Sequence, residues 1–380
     1  MKIRGDWIGH PGSQTLCAVL EQAGHRALFV GGCIRNDLLG EPVADIDLAT
    51  DATPETVSDI AETAGFKVVP TGIEHGTVTV VAEGRPHEIT TFRRDVETDG
   101  RRAVVAFSSR IEEDAARRDF TMNALYADRQ GRVIDPLHGL PDLQARRVRF
   151  VGDAETRIRE DYLRILRFFR FHACYGDPEG GLDAEGLAAC AALSGGLETI
   201  SRERITAELR KLLAARDPAP SVAAMAQSGV LAQILPGADP RALAPLVHLD
   251  SAEPPRWLRR LSVLGGEADS LRLSKSEARD LAALRAALGS TESPAALGWS
   301  LGETLGADAV LARAAALETP LPDGWQREVR RGATARFPVS AADLMPAFQG
   351  EALGARLKSL ESRWLASDLT LSRDDLLKGA

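Results

Sequence analysis

The sequence of 380 residues predicts an α+β protein: a mixed β-sheet with helices in its N-terminal part, followed by an all-helical remainder. Three observations carry this. Residues 1–140 alternate strand, turn and helix patterns, and strand patterns stop after Pro141. Clusters of proline and glycine near 217–220, 236–240, 253–255 and 320–324 punctuate the helical part. The boundaries that follow are a sheet-bearing head over 1–140, a helical neck over 141–215, a helical body over 216–300 and a helical tail over 301–380. No fixed-period repeat runs through the helices.

Within the head, Ser13 to Gln22 has helical spacing that Gly24 can end, and the apolar run Ala27 to Val30 reads as a strand. The paired glycines Gly31 and Gly32 then make a tight turn into the helix IRNDLL, which stops at Gly40. ADIDLAT (44–50) reads as a second strand, Thr53-Pro54-Glu55 as a helix start, and TVTVVAEGRPHEITTF (77–92) as a β-hairpin turning at Glu83-Gly84. RRDFTMNAL (117–125) reads as a polar segment just ahead of a helix. Past Pro141, ETRIREDYLRILRFFRFHACYG, SRERITAELRKLLAAR and SVAAMAQSGVLAQILP are helical.

Composition bounds the function classes. Hydrophobic residues make up 44% and charged ones 26%, globular values that exclude a disordered or collagenous chain. The longest uncharged stretch, Pro218 to Ala238, holds three prolines and four polar residues, so no membrane span is expected. The N-terminus lacks the apolar region of a signal peptide, and Cys17, Cys33, Cys174 and Cys190 are scattered without metal-type pairing; a reducing cytoplasm is the expected compartment. Net charge is −8, which seems to disfavour a nucleic acid, but the average conceals a segregation. From Arg85 to His172 there are 18 arginines against 15 acids, enough for a local phosphate-binding surface. Arginine-rich usage throughout the chain, 40 arginines to six lysines, accounts for the same excess without a partner.

The candidate chemistry begins at VGGCIRNDLLGEPVADIDLAT. Asp45 and Asp47, two apart on the expected strand, point from one face and can seat a divalent cation that also binds substrate phosphates. The Gly31-Gly32 turn ahead of a helix lets backbone amides approach a phosphate. Glu88 in the hairpin can supply a third carboxylate if its strand lies beside Asp47, the equipment of two-metal nucleotidyl transfer. Each feature alone also occurs on solvated strands. In EDYLRILRFFR (160–170), Asp161, Arg164, Arg167 and Arg170 recur every three residues among Leu163, Ile165, Leu166, Phe168 and Phe169. An i, i+3 salt bridge explains the first pair, but solvated surface explains the apolar surroundings poorly.

Taken in order, GGCIRNDLLG with DID, HEITTFRRD, an Asp-Gly-Arg loop (99–101), EEDAARRDFTMNAL, IDPLHGLPDL and EDYLRILRFFRF resemble the motifs of class II tRNA nucleotidyltransferases, the CCA-adding enzymes of the polymerase β superfamily. The likeness is dense from Ala27 to His172 and fainter in SRERITAELRKLL and LMPAFQGEALGARLKSLESRW. It implies a nucleotidyltransferase head that adds C, C and A to the 3′ end of tRNA from CTP and ATP. It further implies Mg²⁺ on Asp45 and Asp47, Glu88 as third acid, and Gly32 and Arg35 on the triphosphate. Arg118, Asp161, Arg164, Arg167 and Arg170 would contact the nucleotide, with Asp161 and Arg164 reading the base edge. Cytosine and adenine both set an amino donor beside a ring-nitrogen acceptor, so an acceptor next to a donor suits both and leaves buried groups unpaired against uracil or guanine.

One departure is that Asn36 stands where the family usually has aspartate; it keeps an acceptor oxygen but not the charge, and Asp37 is one helical step away and faces elsewhere. Bacterial poly(A) polymerases share the head motifs, but PTGIEHGTVTVV is the CCA-adding form. The remaining alternatives are partial addition of only CC or only A, with the TDGR loop speaking against the CC-only form, and an inactive RNA-binding module, which would have lost an acidic ligand. None of the seven histidines precedes an aspartate, so no appended His-Asp phosphohydrolase domain is expected.

Overall fold

A computed structural model describes residues 1–70, 72–99 and 102–378. The chain divides into two compact units, Met1–Ser201 with Ser228–Val230, and Arg202–Gln227 with Leu231–Ala380.

In the first unit, α1 (Pro11–Gln22), β1 (Ala27–Val30) and α2 (Gly32–Leu39) follow one another, α2 closing on a left-handed Gly40. Next come β2 (Asp47–Thr50), α3 (Pro54–Thr63), β3 (Lys67–Val69), β4 (Thr77–Ala82) and β5 (Arg85–Thr91). Thr53 caps α3 by accepting from Thr56 N, with Pro54 at the first helical position. Glu83 and Gly84 both have positive φ, 48° and 77°, the two-residue turn whose twist matches the flanking strands. The hairpin β6 (Arg93–Asp99) and β7 (Arg102–Phe107) pair only with each other; Gly100 and Arg101 of the Asp-Gly-Arg motif lie outside the described residues. Then follow α4 (Ile111–Ala116), β8 (Tyr126–Ala127), β9 (Val133–Ile134), α5 (Leu140–Gln144), α6 (Ala154–Glu160), α7 (Leu163–Tyr175) and α8 (Ala184–Ala192).

Seven strands form one mixed sheet in the order β3-β4-β5-β2-β1-β8-β9, and β2 with β5 is its parallel pair. Parallel neighbours need a crossover, which α3, β3 and β4 supply. β1 is buried on both faces, and Leu28, Val30, Ala49, Phe92, Ile111 and Tyr126 make a core beneath the sheet.

The second unit is helical: α9 (Arg202–Leu213), α10 (Ala219–Gln227), α11 (Val230–Ile234), α12 (Leu243–Leu249), α13 (Trp257–Leu264), α14 (Lys275–Leu288), α15 (Pro294–Ala316), α16 (Trp325–Thr334), α17 (Gly350–Ala366) and α18 (Arg373–Lys378). α15 and α16 touch backbone to backbone: a Cβ on Gly298 would strike the Val329 carbonyl, and one on Gly332 the Ala295 carbonyl. Two fully buried arginines of α13 are matched by acids. Arg259 bridges Asp250 and Asp308, while Arg260 pairs with Asp250 and donates to the carbonyls of Leu213, Ala215 and Arg216 at the end of α9. Val339, Leu344, Leu360, Trp364 and Leu376 form a separate core near the C-terminus. No helix among the described residues is long and apolar enough to cross a membrane.

Candidate active site

The register of β2 and β5 sets Asp47 directly against Glu88. Alternation along β5 buries His87 and Ile89 and leaves Glu88 on the open face. Asp45 does not lie on the strand as expected, because β2 begins at Asp47 and 41–46 is irregular; Asp45 is exposed just ahead of it. It still acts on Asp47. Burial, then repulsion from Glu88 and Asp45, pushes the Asp47 carboxyl up to about 6, against the opposing pull of Arg118. Three carboxylates therefore share one electrostatic environment, although among the described residues no three ligand groups are drawn close enough to hold an ion unaided. Mg²⁺ commonly takes one or two carboxylates and completes its shell with water and substrate phosphate, so this acidic set fits it.

Beside the acids lies the glycine turn. Gly31 adopts φ 71° and ψ −116°, closed to residues with a side chain, and its amide donates to the Leu125 carbonyl. A Cβ here would come within 3.4 Å of an Arg118 terminal nitrogen, and a Cβ on Gly32 within 3.7 Å of one from Arg35. Two guanidinium groups thus flank the amides that open α2.

Each guanidinium is held from behind. Arg118 donates to Asp114 at 2.9 Å and to the Tyr126 hydroxyl at 3.1 Å, and that hydroxyl donates to Asp114 at 2.7 Å. Burial works against its charge, but Tyr126 and Asp114 outweigh it and hold the group above the usual arginine range. Arg35 donates to Asn36, Asn123 and Tyr175. Asp119 accepts from Arg167 through one oxygen and from Asn123 Nδ2 and the Phe120 amide through the other. Burial would raise that carboxyl, yet Arg167, Asn123 and Phe120 hold it below the ordinary range. A continuous hydrogen-bonded path therefore runs Arg167–Asp119–Asn123–Arg35. Asp37, as its helical step implies, faces elsewhere: it accepts from Gly5 N at 2.8 Å and Trp7 Nε1 at 2.9 Å.

Two further expectations need correction. The segment 117–125 is not followed by a helix; α4 precedes it, and a short 3₁₀ turn at Thr121–Asn123 leads into β8. Asp161 is not on the arginine-bearing helix. It sits at the break between α6 and α7 with extended φ −155° and ψ 104°, and its carboxylate accepts from Leu163 N at 3.1 Å. Arg164, Arg167 and Arg170 do lie on α7. Arg164 is anchored by Glu160 and by the carbonyls of Arg157 and Arg117, and Arg170 lies 4.6 Å from the Phe171 ring centroid.

The residues that motif reading left without a role are Asp114, Tyr126, Asp119, Asn123, Glu160 and Tyr175, all of them behind the arginines. Asp119 and Asn123 carry one readable signal, polar residues set among Phe120, Met122 and Leu125.

The family model described as "Poly A polymerase head domain" matches residues 27–149, and "Probable RNA and SrmB- binding site of polymerase A" matches 182–241. The human mitochondrial CCA tRNA nucleotidyltransferase 1 is 42% identical over 203 residues, 53% of this chain and 47% of that protein, so the match spans about half the length of that relative. The CCA-adding enzyme of Geobacillus thermodenitrificans is 39% identical over 316 residues, 81% of this chain and 71% of that one. The crystal structure of the Bacillus stearothermophilus CCA-adding enzyme in complex with CTP superposes with TM-score 0.74 at 30% identity, covering 94% of this chain and 93% of the other. At these identities and coverages, the chain belongs to the family of CCA-adding enzymes.

Proposed function

We propose that this protein restores the 3′ end of tRNA by adding C, C and A from CTP and ATP without a nucleic-acid template. The observation that carries the reading is the Asp47–Glu88 register, which gathers acidic residues beside a glycine turn flanked by Arg35 and Arg118. Asp45 and Asp47 would hold Mg²⁺, which when bound supplies positive charge to the triphosphate and to the attacking hydroxyl. Glu88 is the third acid of the set. The Gly31-Gly32 turn, with the amide of Gly32 at its open end and with Arg35 and Arg118 beside it, orients the triphosphate and offsets its charge. Asp161 and Arg164 read the base edge as acceptor and donor, and Arg167 and Arg170 line the nucleotide's side of α7. The head over 1–140 then performs the transfer, the neck over 141–215 carries the reading helix, and the body and tail over 216–300 and 301–380 take the tRNA.

The test is a tRNA transcript lacking its 3′ terminus, incubated with Mg²⁺ and with CTP, ATP, UTP or GTP singly and in pairs. Sequential gain of C, C and A is the expected result. Long A tails on any RNA would replace the reading with a poly(A) polymerase, addition stopping at CC or confined to A would replace it with a partial enzyme, and tRNA binding without addition would leave an inactive binding module.

A further inference from the structure

Arg35 is 7% exposed, and among the described residues its hydrogen bonds end on neutral acceptors. Nε and Nη2 donate to Asn36 Oδ1 at 3.1 and 2.8 Å, Nη1 donates to Asn123 Oδ1, and Nη2 also donates to the Tyr175 hydroxyl at 2.9 Å. The guanidinium carbon sits over the Tyr175 ring, 3.9 Å from its centroid, and 5.1 Å from that of Phe171. Asp119 attracts Arg35, but its oxygens are engaged by Arg167, Asn123 and Phe120 N. Arg170 adds repulsion. Burial acts in the same direction, pulling the Arg35 guanidinium below its ordinary range.

A buried cation so placed needs a partner that stabilises charge without a carboxylate, and a ring face with a hydroxyl beside it supplies that. We propose that Tyr175 is a positioning residue for nucleotide binding: its ring and hydroxyl hold the Arg35 guanidinium in place and aimed at the Gly31-Gly32 turn, where Arg35 meets the phosphates of the incoming triphosphate. The inference rests on the functional reading above. Sequence position supports it: Tyr175 follows Phe171 by one helical turn at the end of α7, so both rings line the face that Arg35 approaches. Asn36 has a complementary part. Its Oδ1 already meets two guanidinium nitrogens, so a carboxylate at 36 would fall on the same edge and could take over the charge stabilisation that Tyr175 supplies.

The experiment compares Tyr175→Leu, Tyr175→Phe and the double variant Tyr175→Leu with Asn36→Asp. It measures KM and kcat for CTP and ATP on end-truncated tRNA, the affinity for inorganic tripolyphosphate by calorimetry, and the melting temperature. Tyr175→Leu is expected to raise both KM values and to weaken tripolyphosphate about tenfold, about 1.4 kcal/mol, with kcat little changed. Tyr175→Phe keeps the ring and should lose only about threefold. Asn36→Asp in the leucine background should recover most of the loss. Unchanged KM and tripolyphosphate affinity in Tyr175→Leu would overturn the proposal. So would a loss confined to kcat and melting temperature that Asn36→Asp does not repair. If the wild-type protein adds nothing to tRNA, the functional reading fails, while the tripolyphosphate comparison still decides the role of Tyr175.

Discussion

Asp47 and Glu88 stand opposite each other in the parallel strand pair at the middle of the sheet, and the fold holds them there against their mutual repulsion. The Asp47 carboxyl, raised from 3.8 to about 6, records that tension. A raised carboxyl pKa means the folded state binds the proton more tightly than the unfolded chain. This favourable contribution is complete below about 4 and is lost as pH rises through 6.

Asp47→Asn should therefore abolish nucleotide addition yet stabilise the fold at pH 8 in the absence of divalent cation. Two pK units correspond to about 3 kcal/mol, which partial solvation reduces to about 1–3, or a few degrees of melting temperature. Melting curves from pH 4 to pH 8 check the sign: the gain over wild type should shrink to nothing near pH 4. Mg²⁺ should raise the wild-type melting temperature and leave the variant unmoved. A gain independent of pH would contradict the electrostatic origin.

Base selection is expected to depend on Asp161. Asp161→Ala should lower discrimination against UTP and GTP, since one bidentate contact to a base is worth about 1–3 kcal/mol, or about five- to 150-fold. Because the carboxylate also accepts from Leu163 N at the start of α7, about 1 kcal/mol of stability should go with it. Single-turnover rates with the four triphosphates, read beside a melting curve, separate the effects: equal losses for all four would leave Asp161 only its contact to the Leu163 amide.

Glu160→Gln removes the carboxylate that bridges Arg157 and Arg164. The guanidinium of Arg164 keeps its two carbonyl acceptors but loses its ionic anchor, so the same rate comparison should show blurred selectivity at nearly normal kcat for the preferred nucleotide.

Affinity for tRNA should fall steeply with salt despite the net charge of −8, because arginine contacts to phosphates release counterions. Filter binding between about 50 and 200 mM salt measures the slope; a flat response would rule out the arginine-rich region as the contact.

Asp250→Ala, in the second unit, leaves Arg259 buried with Asp308 as its remaining acid and Arg260 buried with backbone carbonyls alone. The expected loss is about 3–5 kcal/mol, visible as a lower denaturant midpoint.

Local chemistry was legible in the sequence wherever it is decided within a few residues. The Glu83-Gly84 turn, the Thr53-Pro54 helix start and the glycine stop at Gly40 all depend on adjacent side chains, and each falls where the pattern puts it. Asp161 misled for the opposite reason. The three-residue spacing of Asp161, Arg164, Arg167 and Arg170 reads as one helix, but the aspartate satisfies the Leu163 amide itself and so starts the helix instead of joining it. The strand around Asp45 begins three residues later than expected, since alternation cannot tell an extended approach from a paired strand. The supports behind the arginines were not legible either. Tyr175 and Arg35 are brought together by tertiary packing, and no spacing rule links a helix end to a turn so far upstream.

The parallel pairing of β2 and β5 also constrains how the protein comes to be folded. Its two acids lie about forty residues apart in the chain, and the strands that bear them join across the crossover that α3, β3 and β4 form between them. Loop closure is spent before any contact between the two strands is gained, so this pairing belongs to the slow part of head assembly. At neutral pH the same step also brings like charges together. Mild acid, which protonates Asp47, should ease that step by removing the repulsion between the two acids.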